Sequence, residues 1–342
     1  MLIYILKRLL LIIPTLLGAL TITFIVIQFV PGGPIETLMA EARSGQGDSG
    51  YRAGRDSEAK QIAELKKLYG FDKPAHVRYV EMIGNFLRFD LGRSFLQNKP
   101  VWDLIKEKLP VSISLGLWTF LLSYLISIPL GVVKAVREGS RFDAFTTLVV
   151  LVGYAIPGFV LGLLLIVLFA GGSFFDVFPL RGLTSDNWSS LGWPARIADY
   201  FWHVTLPLIC MVIGSFAIVT MLTKNTFVEE MRKQYVLVAR AKGVSQQRVL
   251  FKHIFRNALI PLITGFPAAF VGAFFAGSVL IETLFSLDGL GLLSYESVVR
   301  RDYPVVLGSL YLFTLIGLVI KLVADLLYVA VDPRVQFGRV GK

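Results

Sequence analysis

Apolar residues along this chain gather into six long runs separated by polar stretches: 9–30, 111–133, 144–170, 204–223, 258–281 and 303–331. Roughly 20 apolar residues are needed to cross the ~30 Å hydrocarbon core of a bilayer. A segment in lipid must satisfy its own backbone, so each run is expected to be a helix. The fold class this pattern predicts is all-α, a polytopic transmembrane bundle of six spans. Only Lys321 and Asp325 interrupt the last run. They stand one helical turn apart, open either to an intramembrane role such as a proton relay or to snorkelling at the headgroups with a local ion pair.

Lys7 and Arg8 ahead of the first run resemble the basic start of a secretory signal. The apolar run that follows exceeds the roughly 7–15 residues of a signal core and has no small-x-small cleavage site before Pro31, so a retained first span is expected. Residues 31–110 then form a polar region of mixed charge. The stretch Gly45-Gln46-Gly47-Asp48-Ser49-Gly50 has the composition of a loop. Beyond it, Ser57 is placed to cap an amphipathic helix with Ile62, Leu65, Leu68 and Tyr69 on one face, ended by Gly70 and followed by Pro74. The expected organisation is residues 1–110 as first span plus periplasmic region, and residues 111–342 as a five-span core carrying a cytoplasmic loop at 224–257.

Composition agrees with a membrane protein: of 342 residues, 55% are hydrophobic and 17% charged, where soluble domains carry about 25% charge. The net charge of +10 sits beside the apolar runs rather than on a free basic face with interleaved aromatics, which argues for lipid and topology over nucleic acid. Its distribution orients the chain. Loop 224–257 carries Lys224, Arg232, Lys233, Arg240, Lys242, Arg248, Lys252 and Arg256 against Glu229 and Glu230, and loop 134–143 carries Lys134, Arg137 and Arg141 against Glu138 and Asp143. Loop 171–203 has Arg181 and Arg196 against Asp176, Asp186 and Asp199. Basic loops stay on the cytoplasmic side. Both termini are therefore expected in the cytoplasm, with the 31–110 region outside.

Loop 224–257 is also the most patterned polar segment. Gly243 is expected to take the left-handed conformation that stops one short helix, Ser245 to cap a second, and Pro261 to mark where that helix gives way to a span. Ala239, Ala241 and Gly243 would let a partner approach the backbone while Arg240, Lys242 and Arg248 offer it charge. Taken alone, the residues leave two readings open: a solvated basic loop, or a docking surface.

The pattern resembles the cytoplasmic coupling loop of membrane subunits of binding-protein-dependent ABC importers, which runs Glu-Ala-Ala, then a glycine, then Ile-x-Leu-Pro. Gly243 takes the glycine place and Ala239 the second alanine, while Leu237, Val238, His253, Phe255 and Arg256 depart. The departures are similar to the dipeptide and oligopeptide branch, in Ala239-Arg240-Ala241-Lys242-Gly243, in His253 to Ala258, and in Pro261. Arg301-Asp302-Tyr303-Pro304-Val305-Val306 and Asp332-Pro333-Arg334 resemble the same branch. Phe71-Asp72-Lys73-Pro74, Gly153-Tyr154-Ala155-Ile156-Pro157, Phe178-Pro179-Leu180-Arg181-Gly182-Leu183 and Met221-Leu222-Thr223-Lys224-Asn225 look like the Yej-type peptide importers within it.

The resemblance implies half of a heterodimeric pore in a bacterial inner membrane. The implied partners are a second homologous permease subunit, two cytoplasmic ATPase domains that hold the ATP and Mg, a periplasmic peptide-binding protein, a peptide substrate and the lipid bilayer. It implies that Tyr235, Ala239, Arg240, Ala241, Lys242, Gly243, Val244, Arg248, His253, Arg256 and Asn257 meet the ATPase. Relatives of this pattern carry dipeptides, longer peptides, glutathione or nickel, and Yej-type likeness favours oligopeptides, including peptide antibiotics.

Small residues at Gly265, Ala269, Ala273 and Gly277, with Ala268, Gly272 and Ala276 beside them, form two rows in the fifth run. Such rows permit close helix packing, and the resemblance would make this span, bent near Pro261 and Pro267, a lining of the translocation path. Pro14, Pro129, Pro157 and Pro207 favour bends elsewhere. Little else carries chemistry. His76, His203 and His253 are scattered, Cys210 lies alone in an apolar run and reads as a packed small residue, and the chain has no phosphate-binding Gly-x-x-x-x-Gly-Lys-Ser/Thr loop. No metal and no cofactor on this chain is expected. Two other classes are an integral membrane enzyme using His76, Asp90 or Asp103, and an ion channel, which would need polar pore residues that the runs mostly lack.

Overall fold

The computed structural model describes residues 2–30, 67, 70–170, 172, 174–275 and 279–331. The amphipathic helix expected from Ser57, the glycine-rich stretch before it, and the Asp332-Pro333-Arg334 stretch lie outside these residues. Among the described residues the regular elements are all helices, beside one isolated antiparallel bridge between Arg93 and Pro100.

In chain order the helices are α1 (Leu2–Phe29), α2 (Ala75–Phe86), α3 (Val101–Val136), α4 (Arg141–Ala155), α5 (Gly158–Phe169), α6 (Trp193–Met231) and α7 (Gln234–Ala241). A helical stretch follows, made of α8 (Gln246–Arg248), a wide-turn segment Val249–Ile254 and α9 (Phe255–Ala258), then α10 (Ile260–Phe275), α11 (Val279–Leu284), α12 (Leu290–Val299) and α13 (Tyr303–Val331). Among the described residues four helices are long and apolar enough to cross a membrane, and α4 with α5 makes a fifth candidate.

Apolar runs and helices coincide with two instructive differences. The third run, expected as one span, is two helices bent by 92°. The break is at Ile156 (φ −85, ψ 118) and Pro157 (φ −57, ψ 134). Proline lacks the N–H that would continue the ladder and pushes the residue before it out of the helical region. The fourth run is the middle of α6, whose 39 residues measure about 58 Å. Its last two turns therefore extend past a bilayer core, and the polar segment expected to open as a loop at Lys224 stays helical to Met231. The fifth run appears as the 16 residues of α10 followed by α11, with 276–278 outside the described residues.

The described chain falls into two compact units, one built from 2–109 with 292–318 and the other from 110–291 with 319–342. In the first, Val101 and Leu104 of α3 are fully buried, and the ring of Phe86 lies 5.1 Å from that of Tyr311. Asp302, at the head of α13, accepts hydrogen bonds from Ser94 Oγ and from the Phe95 N–H at 2.9 Å, which gives the Arg301-Asp302-Tyr303-Pro304 stretch a structural role. Burial pushes the Asp302 carboxyl up from its ordinary value despite these bonds.

In the second unit, α3, α5, α6 and α11 enclose a core of Leu115, Val204, Leu206, Leu208, Cys210, Ile281, Phe285 and Leu287. Cys210 is buried there as an unpaired thiol, in keeping with its expected packing role. Helices α3 and α6 approach closely at Gly131, where an added methyl carbon would stand 2.5 Å from Thr223 Cβ and 2.9 Å from the Thr220 carbonyl oxygen. Serines bridge the same pair, Ser123 Oγ with Ser215 Oγ at 2.7 Å and Ser127 Oγ to the Phe216 carbonyl at 3.0 Å.

Candidate functional site

The polar segment after α6 folds as a small two-helix element with its own core. Helix α7 begins after Lys233 and stops at Gly243, whose φ of +77 is easy only for glycine. The Gly243 N–H donates to the Arg240 carbonyl at 2.9 Å and the Val244 N–H to the Ala239 carbonyl at 3.2 Å, the six-to-one closure of a glycine-stopped helix. No atom lies within 4 Å of the place a Gly243 side chain would occupy, so the backbone, not space, requires glycine.

Ser245 takes the cap position of the next helix, but its side chain makes no capping hydrogen bond, against expectation. It is exposed, so water can serve the free N–H groups of that first turn. Within the wide-turn segment, bonds five residues apart replace the usual four. That register puts Val249 and Ile254 on one face, each 1% exposed. They pack with Val236, Ala258, Phe227 of α6, and Val132 and Ala135 of α3.

A polar clamp ties α7 to the end of α6. Tyr235 Oη donates to Glu230 Oε1 at 2.7 Å, Lys233 Nζ pairs with Glu230 Oε2, and Asn257 Nδ2 donates to Tyr235 Oη at 3.3 Å. Burial works against the Glu230 carboxylate, yet the bonds from Lys233 and Tyr235 hold its pKa below the usual value. Burial, reinforced by the bond to Glu230, pushes the Tyr235 phenol up to about 12.

The exposed residues of the element are both apolar and basic. Leu237, Val238 and Phe251 are 58%, 52% and 63% exposed. Arg240, Ala241, Lys242, Gly243, Arg248, Arg256 and Asn257 are also exposed, whereas Tyr235, Ala239 and Val244 are half-buried against the small core and His253 is half-buried. Arg240, Lys242, Arg248, Lys252 and Arg256 have no acidic partner among the described residues. The nominated residues thus divide into an inner set that shapes the element and an outer set free to meet a partner. Leu237 and Val238 stood out in the sequence only as departures from a pattern, and Phe251 not at all. The available signal was three large apolar residues in a basic loop that has too little chain to bury them.

Beneath the element lies a charge cluster the sequence did not single out. Lys134 is fully buried, its Nζ 3.1 Å from Asp143 Oδ1, 2.8 Å from Thr146 Oγ1 and 2.7 Å from Thr147 Oγ1. Lys224 Nζ reaches Asp143 Oδ2 at 2.6 Å. The cluster fixes the α3–α4 turn to α6 about two helical turns before that helix ends at Met231.

A cavity of about 590 Å³ lies among α3, α4, α5, α6 and α10, lined by Thr119, Ser123, Tyr124, Tyr154 and Ser215 among apolar groups and including Ala269 and Gly272. Among the described residues that line it, none is charged. Gly265 and Gly272 have no atom within 4 Å of an added side-chain carbon. Gly277 lies outside the described residues, as does the side chain of Ala273. His76 stands exposed at the start of α2, Asp90 accepts the Gly92 N–H at 3.0 Å, and Asp103 lies 3.8 Å from Lys106. Among the described residues no His, Cys, Asp and Glu side chains gather as a metal site.

Residues 127–337, which include the element, the charge cluster and most of the cavity, match the family described as "Binding-protein-dependent transport system inner membrane component". The chain belongs to that family. Similarity extends over nearly the whole length of three relatives. It is 53% identical to the "Peptidoglycan transport system permease protein YejB" of Agrobacterium fabrum and 52% identical to the "Inner membrane ABC transporter permease protein YejB" of Escherichia coli O157:H7, covering 98% of both chains in each case. To the "Oligopeptide transport system permease protein AppB" of Bacillus subtilis it is 35% identical, over 98% of this chain and 99% of that protein. As a binding-protein-dependent permease, the chain is a multi-pass transport component rather than an enzyme, in agreement with the resemblance carried by loop 224–257.

Proposed function

We propose that this chain forms half of the membrane pore of an ATP-driven peptide importer, and that the element 234–258 is where ATPase motion enters it. The observation that carries the docking role is the exposure of Leu237, Val238 and Phe251, together with that of arginines and lysines that have no acidic partner among the described residues, on an element whose own core is already closed. A solvated loop would gain nothing from three large apolar side chains in water, whereas a partner cleft with acidic edges would bury them. Closure of paired ATPase domains would then push on α7. The glycine stop, the Tyr235–Glu230 clamp and the small core would transmit that push to α3, α6 and α10, which line the cavity.

Six crossings, with 258–281 as the fifth, would put both termini in the cytoplasm and residues 31–110 in the periplasm. The two-part division at residue 110 belongs to the same proposal, as do the partners: a second homologous permease, two ATPase domains that bind ATP and Mg, and a periplasmic binding protein. The substrate class is short peptides, the chemistry common to the oligopeptide and peptidoglycan names of the relatives, and the uncharged hydroxyl-bearing cavity suits cargo that varies in side-chain charge. The test is reconstitution in proteoliposomes with the companion permease, ATPases and binding protein, following a radiolabelled tripeptide. Uptake requiring all components and ATP is expected. Uptake by this chain alone, or in the absence of the ATPases, would overturn the reading.

A further inference from the structure

In the unit containing α1 and α2, a second cavity of about 550 Å³ is lined by Phe24, Gln28, Phe71, Arg78, Met82 and Leu307, with Glu81, Asp90 and Arg93 also on its wall. Arg78 is its unusual member. Its Nη2 donates to Gln28 Oε1 at 2.7 Å and its Cζ lies 4.8 Å from the centre of the Phe71 ring, yet its Nε is buried with no hydrogen-bond partner. No carboxylate pairs with it among the described residues. Glu81 is held by Lys73 Nζ at 2.7 Å, Asp90 Oδ1 takes the Gly92 N–H at 3.0 Å, and the neighbouring Arg93 is spent on Asn98. Burial lowers the Arg78 pKa from its usual value, the sign of a cation short of compensation. A desolvated guanidinium with a free donor is favourable only when an anion completes it.

The surroundings say which anion. The cavity borders the Phe24–Gln28 end of α1, a helix of 28 residues, about 42 Å long, so this end lies at headgroup depth whichever way the chain is oriented. Ile25, Val26 and Phe29 beside it are 49%, 55% and 81% exposed, and only 11% of the apolar window of α1 is buried. The volume is also far larger than an inorganic ion requires. We infer that this cavity binds the phosphodiester headgroup of a membrane phospholipid, with Arg78 as the phosphate ligand and Phe24, Phe71, Met82 and Leu307 against the glycerol and upper acyl carbons. The site is separate from the docking element, and peptide uptake is not its readout.

The experiment is native mass spectrometry of the purified full-length chain in detergent, titrated with phosphatidylglycerol, with a diacylglycerol of the same acyl chains, and with inorganic phosphate. Phosphatidylglycerol should fill one site well ahead of any others, with affinity falling roughly ten- to hundredfold in Arg78→Gln and less in Arg78→Lys. Diacylglycerol should fail to compete on the wild-type chain, a comparison that needs no variant to fold. Equal binding of diacylglycerol, or unchanged phosphatidylglycerol affinity in a folded Arg78→Gln chain, would overturn the assignment. Displacement of the lipid by millimolar inorganic phosphate would replace it with a free-phosphate site.

Discussion

The docking proposal is sharpest at Phe251. A phenylalanine presents about 200 Å², and this one is 63% exposed, so roughly 125 Å² stands ready to be buried by a partner. At ~25 cal/mol per Å² that is about 3 kcal/mol, or about 150-fold in Kd, within the 2–4 kcal/mol range of interface residues that dominate binding. Phe251→Ala should therefore weaken association of the ATPase with the nanodisc-embedded permease by about two orders of magnitude. In the isolated chain the change removes the ring contact with Phe255 at 6.1 Å, a loss of about 1 kcal/mol. The assay pairs a binding titration with thermal unfolding of the permease alone. An ATPase affinity unchanged within about threefold, in a permease that still unfolds cooperatively, would refute the reasoning, because it would leave the most exposed aromatic of the element without a partner.

Gly243→Ala should cost about 1–2 kcal/mol through its left-handed backbone alone. Gly131→Val should cost more in thermal unfolding, since its first side-chain carbon meets Thr223 Cβ at 2.5 Å; equal costs would contradict this division between conformation and space. Lys134→Met leaves Asp143 buried with Lys224 as its remaining cation, and the loss of a partner from a buried pair predicts about 3–5 kcal/mol of destabilisation, measured by chemical unfolding in detergent. Because the folded pKa of Tyr235 is raised to about 12, its contribution to stability is full below pH ~10, the unfolded value, and is lost as pH rises through about 12. Ultraviolet difference titration against Tyr235→Phe should place its ionisation there, and Glu230→Gln should bring it down.

Hydropathy alone made the helical class and most span positions legible, because lipid imposes one rule on every backbone group it covers. It was silent where a local interaction overrides composition. Pro157 was visible as a possible bend, but whether a proline bends or breaks a helix depends on what packs around it, and here the run divides by 92°. In the element 234–258, Gly243 was readable from backbone chemistry and behaves as expected, while Ser245 was not, since capping depends on a rotamer that sequence does not encode. The inner and outer faces of the element were hidden for a similar reason. The wide-turn segment shifts register by one residue, so helical periodicity of the usual step would misassign which of Val249, Phe251 and Ile254 point inward. Lys134 and Asp143 were legible only as loop charges; that they meet Lys224 depends on a contact between residues 81 positions apart.

The most direct measurement is thiol crosslinking from Ala241→Cys, in a Cys210→Ala background, within the assembled transporter in native membranes. Ala241 sits exposed at the end of α7, beside the glycine stop. A short bifunctional reagent should join it to the ATPase subunit, and the yield should change when ATP is added. Crosslinks that reach only lipid or the companion permease, with the complex intact, would contradict the claim that force enters the chain through this element.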